Sequence, residues 1–219
     1  DGVKRNPEKV GLLMRSYARN LATQASLETI AADMQANEPK KMDTDTVSSY
    51  ISALAKLFVV EESKAWNPNL RSKTAIRTSN TRYYTDPSIG TASLSIGPKD
   101  LENDLNTFGY FFETLAIRDL RTYAEALMGE VAHYRDADKL ECDAVVHLRD
   151  GRYGLIEIKL GGEALIKEGV KSLTALKNKL DTTKMNKPSF LMVLTGVGSI
   201  AYRRPEDGIY VVPIGCLKP

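Results

Sequence analysis

Two short runs of alternating polar and apolar residues, on either side of Asp150 and Gly151, constrain the fold of this chain more than any other feature. The first run spans residues 140–148 and the second spans residues 155–160. Because successive side chains of a strand point to opposite faces, the pattern predicts a β-hairpin with one buried face. An Asp-Gly pair between the runs is typical of a hairpin turn.

The register of this hairpin decides whether its acidic residues can form a site. A two-residue turn would pair Asp143 with Ile158, so that the carboxylates of Asp143 and Glu157 pointed to opposite faces. A three-residue loop, with Gly151 in the left-handed conformation, pairs Asp143 with Glu157 and puts both carboxylates on one face. Glu157 and Lys159 share a face in either register. The second register also keeps the apolar residues of both strands together, and the sequence therefore favours it.

Composition and charge exclude several classes of protein. The 219 residues are 42% hydrophobic and 26% charged, which is ordinary for a globular protein, and the net charge of +2 gives no global basic field for nucleic acid. No apolar run approaches the roughly 20 residues of a membrane-spanning helix, so we expect no membrane partner. Cys142 and Cys216 lie far apart, which predicts reduced thiols in a cytoplasmic protein, with Cys142 buried in its strand.

The first half of the chain predicts three helices followed by a hairpin. Apolar residues recur at helical spacing, Pro7 suits a first helical position, and Ser26 suits an N-cap. The three helices are predicted over residues 7–23, 26–36 and 43–57. The hairpin is predicted with a strand, a turn and a closing segment over residues 58–60, 61–64 and 66–68. This order indicates a winged helix-turn-helix within residues 1–98, of which residues 80–98 form a connector.

The second half predicts an α/β (α+β) domain over residues 99–219, with Gly97 and Pro98 at the boundary. Around the central hairpin, helices and strands alternate in an α-β-β-β-α-β order, which indicates a mixed sheet. The helices are predicted over residues 101–128 and 163–180, and the strands outside the hairpin over residues 130–134, 190–194 and 209–214. The second helix begins the most basic stretch of the chain, with lysines at Lys167, Lys171, Lys177, Lys179, Lys184 and Lys187.

Two motifs of this half resemble a nuclease superfamily. Asp143, followed by Glu157-Ile158-Lys159, resembles the Asp…Glu-x-Lys core of the PD-(D/E)XK, or restriction-endonuclease-like, nucleases. The segment Gly-Tyr-Phe-Phe-Glu-Thr-Leu-Ala, which contains Glu113, resembles the helix that contributes a further acidic residue in many members. The resemblance implies a restriction-endonuclease-like fold, in agreement with the predicted order of elements.

More narrowly, the chain resembles the C-terminal region of a prokaryotic family of AAA+ ATPases whose C-terminal domain is DUF4143. The phrases that carry this resemblance lie mostly in the first half, in residues 17–19, 46–51, 57–59, 70–73 and 83–87. The resemblance implies that the AAA+ domain of the same parent chain is a partner and binds ATP. Because this chain begins at Asp1 without Met and contains no phosphate-binding loop, we expect that domain to be missing here. DNA and further copies of the chain are also expected as partners.

The resemblance implies a specific division of chemical roles. Hydrolysis of a phosphodiester at neutral pH needs a hard cation such as Mg²⁺ or Mn²⁺, which takes oxygen ligands. The carboxylates of Asp143 and Glu157, with the backbone carbonyl of Ile158, would hold that cation. Lys159 would orient or activate the attacking water, or stabilise the charged transition state. Glu113 would be an outer-shell or second-metal carboxylate.

Non-catalytic interpretations stay open beside this one. Glu157 and Lys159 could form a charge network on a half-exposed sheet face, and Glu113 could be a solvated or capping carboxylate. The domain would then be a catalytically silent module that binds DNA or a protein and regulates or targets the ATPase. A carboxylate pair that holds a metal ion would favour hydrolysis, whereas an ion pair of Glu157 with Lys159 closed to solvent would favour the silent module.

The basic residues allow two interpretations as well. The winged helix could link the ATPase core to the second domain by packing, or it could contact DNA without reading bases. Asp43 and Asp45, at the start of its predicted recognition helix, repel phosphate. A basic strip for DNA would come from Lys40, Lys41, Arg71, Lys73, Arg77 and Arg82. Likewise, the lysine-rich helix could hold a phosphate backbone or form an ordinary solvated face.

Overall fold

The structure of the chain, a computed structural model, describes residues 5–35, 42–68, 79–183 and 185–218. Seven α-helices lie within these residues: α1 (Pro7–Arg19), α2 (Leu27–Gln35), α3 (Thr44–Lys56), α4 (Pro87–Leu94), α5 (Pro98–Asn103), α6 (Leu105–Ala126) and α7 (Glu163–Lys179). The strands are β1 (Val60–Ser63), β2 (Thr81–Tyr84), β3 (Gly129–Arg135), β4 (Glu141–Leu148), β5 (Tyr153–Lys159), β6 (Phe190–Thr195), β7 (Tyr202–Arg203) and β8 (Tyr210–Pro213). Within the described ranges, no helix is both long and apolar enough to cross a lipid bilayer.

The chain forms two compact units, one of residues 1–62 and 79–114 and the other of residues 63–78 and 115–219. The division falls inside α6, so the first turns of this helix belong to the first unit. The mixed α/β class predicted from the sequence is confirmed. The predicted domain boundary after residue 98 stays a prediction.

Side-chain caps define where the helices of the first unit begin. Asn6 accepts a hydrogen bond from the backbone N–H of Glu8 at 2.8 Å, and Asp43 accepts one from Thr46 at 2.7 Å, so both satisfy amides that lack helical partners. The helix predicted over residues 7–23 ends earlier, at Arg19, because the chain then pairs with β2 through Ala22 N and Arg82 O. The core of this unit is formed by Leu13, Tyr17, Ala18, Leu21, Ile30, Ala31, Met34, Val47, Ile51, Leu54, Val60, Tyr84 and Phe111.

The predicted hairpin after α3 is wrong in its details. Phe58 has a left-handed backbone (φ 55°), so the strand begins only at Val60, and the predicted turn at residues 61–64 lies mostly within β1. The partner of β1 is β2, which we predicted as part of a connector. β2 is buried at all four positions, and three of its four residues are β-branched or aromatic, which fits such a site. The predicted closing segment is also absent, because Ala65 bridges to His133 instead.

Two further predictions about helices need correction. The predicted connector, residues 80–98, contains α4, which Asp86 caps by accepting a hydrogen bond from Ser88 N at 2.8 Å. The helix predicted over residues 101–128 is two helices, α5 and α6. Asp104 separates them and accepts hydrogen bonds from the backbone N–H and the hydroxyl of Thr107, at 3.1 and 2.6 Å. An aspartate that accepts a hydrogen bond from the amide three residues later caps the start of a new helix. Asp104 therefore divides the segment that the apolar spacing had predicted to be one helix.

The second unit contains a six-stranded mixed sheet in the order β3-β4-β5-β6-β8-β7. β3, β4 and β5 are antiparallel, whereas β5, β6 and β8 are parallel, and β7 runs antiparallel to β8 at the edge. The predicted order of helix, three strands, helix and strands is present. The two-residue strand β7 was not predicted, because it is too short to show an alternating pattern.

The helix α7 connects parallel strands and packs on β5 and β6. The core beneath it contains Cys142, Val145, Tyr153, Leu155, Leu173, Leu176, Leu180, Val193 and Ile209. Cys142 is a buried free thiol, as predicted. The prediction of a single buried face is wrong for β5, whose first six residues are all buried. A strand inside a sheet of parallel crossovers is covered on both faces, so its sequence need not alternate.

Candidate functional site

The central hairpin has the register that brings the acidic residues together. Val145 pairs with Leu155, and His147 pairs with Tyr153, so the three-residue loop predicted from the sequence is confirmed. Gly151 has a positive φ of 85°, as this loop requires. Continued by one residue beyond the last ladder pair, the same register sets Asp143 opposite Glu157.

A local irregularity in β4 positions Asp143. Between the pairs Ala132–Val145 and Tyr134–Cys142, β4 has one more residue than β3, and this extra residue makes a bulge. The carboxylate of Asp143 accepts a hydrogen bond from the backbone N–H of Ile158 at 2.7 Å. Asp143 therefore provides an acceptor to β5 where the regular ladder with β4 ends. The sequence did not predict the bulge, because an alternating pattern does not reveal an inserted residue.

Lys159 lies among three carboxylates. Its ammonium Nζ is 3.1 Å from Glu157 Oε2 and 4.0 Å from Asp143 Oδ2. It is also 3.8 Å from Oε1 of Glu168, which lies in the second turn of α7. Glu168 was not predicted from the sequence. The available signal was its position: α7 begins four residues after Lys159, so its first turns lie near the end of β5.

Burial differs among these four side chains. The side chain of Glu157 is only 4% exposed and those of Asp143 and Lys159 are each 19% exposed, whereas that of Glu168 is 62% exposed. Burial first, and then the charge of Asp143, raise the pKa of Glu157 well above its usual range. Burial also raises the pKa of Asp143, against the opposing charge of Lys159. Burial alone would lower the pKa of Lys159, but the charges of Asp143 and Glu157 raise it.

A glycine of α7 allows the helix to approach the site. A Cβ atom at Gly169 would lie 3.2 Å from Glu157 Cβ and 3.2 Å from Val193 Cγ2. These distances are tighter than ordinary van der Waals contacts, so a larger residue would require Glu157 and Val193 to shift. Gly169 therefore helps to keep Glu157 covered.

Glu113 belongs to the first unit. Its Oε1 accepts a hydrogen bond of 2.6 Å from the hydroxyl of Tyr83, which is buried. The structure thus brings together Asp143, Glu157 and Lys159 within the second unit, while the role of Glu113 as a further site carboxylate stays a prediction.

The donor chemistry of the site suits a hard cation. Among the described residues there is no group of three or more His, Cys, Asp or Glu side chains that could hold a metal ion. Mg²⁺, however, is usually held by one or two carboxylates together with waters and substrate phosphates. The carboxylates of Asp143 and Glu157 fit that pattern, and the ammonium of Lys159 lies where it neutralises them.

Ion pairs within the protein neutralise part of the predicted basic surface. Lys167 is 2.6 Å from Glu163 Oε1, and Lys179 is 2.7 Å from Asp136 Oδ2. The guanidinium of Arg82 is largely buried and 2.8 Å from Glu62 Oε1, so the prediction that it contributes to a surface strip is wrong. The other members of the predicted basic strip, and one lysine near the end of α7, lie outside the described residues; they are Lys40, Lys41, Arg71, Lys73, Arg77 and Lys184.

Comparisons with known proteins identify two sequence families. Residues 108–217 match the family described as a domain of unknown function, DUF4143, which confirms the DUF4143 part of the predicted resemblance. Residues 1–100 match a second domain of unknown function, DUF8612. No curated protein matches the chain. Among solved structures, the chain is similar to one from the tetradecameric assembly of Thermococcus gammatolerans McrB AAA+ hexamers with bound McrC. The identity is 8% and the TM-score 0.33, over 92% of this chain and 70% of that chain.

Proposed function

The chain belongs to the DUF4143 family of domains of unknown function, and we propose that it is a module of a AAA+ ATP-binding protein with an acidic centre that hydrolyses DNA phosphodiester bonds. One observation carries the hydrolytic part: the hairpin register sets Asp143 opposite Glu157, and Lys159 Nζ lies 3.1 Å from Glu157 and 4.0 Å from Asp143. The AAA+ partner rests on the sequence phrases that resemble such ATPases.

The fold supports this proposal in two respects. Three antiparallel strands, a helix and a parallel strand follow α6 in the order expected of a restriction-endonuclease-like domain. A strand bulge and carboxyl groups with raised pKa values also occur together at the centre, and both features are common at functional sites. We further propose that the three helices and the β1–β2 pair of the first unit act as a winged helix.

The side chains would divide the chemistry among them. A bound Mg²⁺ would polarise the phosphodiester and lower the pKa of a bound water. Asp143 and Glu157 would hold the cation through carboxylate oxygens, and Asp143 is oriented by the N–H of Ile158. Lys159 would then donate hydrogen bonds from Nζ to the attacking water or to a phosphoryl oxygen. The side chains of Asp143 and Lys159 are partly exposed, so a ligand could reach these two residues from solvent, whereas Glu157 is buried beneath them.

A catalytically silent module is the second candidate, and one observation favours it. Glu157 is almost fully buried and forms a 3.1 Å ion pair with Lys159, which neutralises the carboxylate that hydrolysis needs. Both residues lie on β5, so this pair can be a purely structural one that neutralises a buried charge within the strand. The domain would then bind DNA or a protein and regulate or target the ATPase.

Metal titration combined with a cleavage assay separates these two functions. Mn²⁺ and Mg²⁺ are titrated calorimetrically into the protein and into Glu157→Gln, and each protein is then incubated with labelled DNA and Mg²⁺. Glu163→Gln is the matched control, because its carboxylate lies on the exposed face of α7. Metal binding and cleavage that persist in the control and vanish in Glu157→Gln are expected. No metal binding at millimolar concentrations would reject hydrolysis and support the silent module.

A further inference from the structure

We propose that Glu168 is a positioning residue that controls access of an anionic phosphate to Lys159. This inference rests on the proposed function, because it concerns the same centre, but Glu168 belongs to no part of the motif that indicated the centre. Glu168 Oε1 lies 3.8 Å from Lys159 Nζ. It reaches the lysine from α7, whereas Asp143 and Glu157 reach it from the sheet.

Exposure distinguishes Glu168 from the other two carboxylates. Its side chain is 62% exposed, so it lies on the solvent side of Lys159, while Glu157 is covered by α7. A phosphate oxygen that approaches Lys159 from this side meets the carboxylate of Glu168, 3.8 Å from Nζ. The two groups have the same charge and would stand on the same side of Lys159, so they repel each other there.

The exposure of Glu168 also limits how strongly it can oppose a ligand. An exposed ion pair contributes little, so the carboxylate can turn away into solvent at small cost. Glu168 therefore regulates the centre: it occupies Lys159 when no anion is bound and leaves when a phosphodiester arrives. We expect removal of its charge to tighten DNA binding by about two- to fivefold, the range of an exposed ion pair.

Glu163 provides a matched control on the same helix. Its side chain is 81% exposed, and it pairs with Lys167 at 2.6 Å and not with Lys159. Glu163→Gln removes one negative charge from α7 just as Glu168→Gln does. A general reduction of charge repulsion would tighten DNA binding equally in both variants, whereas an effect through Lys159 would appear only in Glu168→Gln.

The test is a double-mutant cycle on DNA binding. The dissociation constant of a fluorescein-labelled duplex of 20 base pairs is measured by anisotropy, at low salt with EDTA, for Glu168→Gln, Glu163→Gln, Lys159→Ala and Glu168→Gln/Lys159→Ala. We expect tighter binding for Glu168→Gln than for Glu163→Gln, and no effect of Glu168→Gln once Lys159 is alanine.

Equal dissociation constants for the two glutamine variants, an effect that persists without Lys159, or no binding by any variant would each overturn the inference. Because EDTA removes divalent cations, this binding assay is independent of hydrolysis. Cleavage in Mg²⁺ is measured separately and decides the proposed function alone.

Discussion

Replacing Lys159 by methionine should destabilise the protein in a way that depends on pH. The substitution keeps an unbranched side chain of similar length but removes the ammonium that lies 3.1 Å from Glu157. Glu157 is 4% exposed, so its carboxylate would then be buried without a compensating charge. The protein can avoid that penalty by taking up a proton, because burial and Asp143 already raise the pKa of Glu157.

The cost of that proton limits the part of the destabilisation that comes from the buried charge. Each pH unit above the ordinary glutamate pKa of about 4.3 costs about 1.4 kcal/mol, so protonation at pH 7 costs about 3.7 kcal/mol. At pH 5 the same proton costs only about 1 kcal/mol. A group with a raised pKa in the folded state binds more protons folded than unfolded, so its contribution to stability falls as the pH rises from about 4.3 towards the folded pKa.

Urea unfolding at pH 5 and pH 7, in buffer with EDTA, measures this difference. We expect Lys159→Met to lose up to about 3.7 kcal/mol of unfolding free energy at pH 7 and clearly less at pH 5. Lys167→Met is the matched control, because its exposed pair with Glu163 should be worth about 1 kcal/mol or less.

The double variant Lys159→Met/Glu157→Gln isolates the charge. A neutral amide needs no partner cation, so the double variant should recover most of the stability lost at pH 7. An equal loss at both pH values, or no recovery in the double variant, would show that packing of the lysine stem and not charge is responsible.

Two further predictions concern the same unit. Burial lowers the pKa of His133, so below about pH 6.5 the unfolded chain binds a proton that the folded protein resists, and the free energy of unfolding should fall as the pH falls. In urea unfolding, His133→Gln should make the free energy of unfolding depend less on pH in this range. An unchanged pH dependence would refute the assignment to His133. Gly169→Val should destabilise by about 1–3 kcal/mol because its Cβ would crowd Glu157 and Val193. Gly11→Val, on an open helix surface, should change thermal stability by about half a kcal/mol or less, and equal effects would contradict the packing argument.

The sequence predicted the features that short-range chemistry determines. The register at Gly151 followed from the turn residues and the alternating pattern, and both act over a few positions. The start of α3 followed from Asp43, whose carboxylate satisfies an amide only three residues away. Because the site residues Asp143 and Glu157 depend on that local register, their proximity could be predicted as well.

Features that depend on distant parts of the chain could not be predicted in this way. β2 is a strand because it pairs with β1, which lies earlier in the chain. The residues that directly follow β2 are common in turns, so the local sequence favours a connector. The bulge at Asp143 appears only when β4 is matched with β3. Glu168 reaches Lys159 through space from α7, and neither strand pattern nor motif spacing encodes that contact.

The contact of Lys159 with Glu157 separates the two candidate functions. In a hydrolytic centre this ion pair must loosen, so that Lys159 can bind a phosphate or Glu157 can bind a cation. In a silent module the ion pair persists. Lys159 is the more exposed partner of this pair, so an anionic ligand reaches the lysine before it reaches Glu157. The pH-dependent stability lost in Lys159→Met therefore measures how strongly the buried Glu157 depends on a neighbouring positive charge, and a bound divalent cation should restore part of that stability.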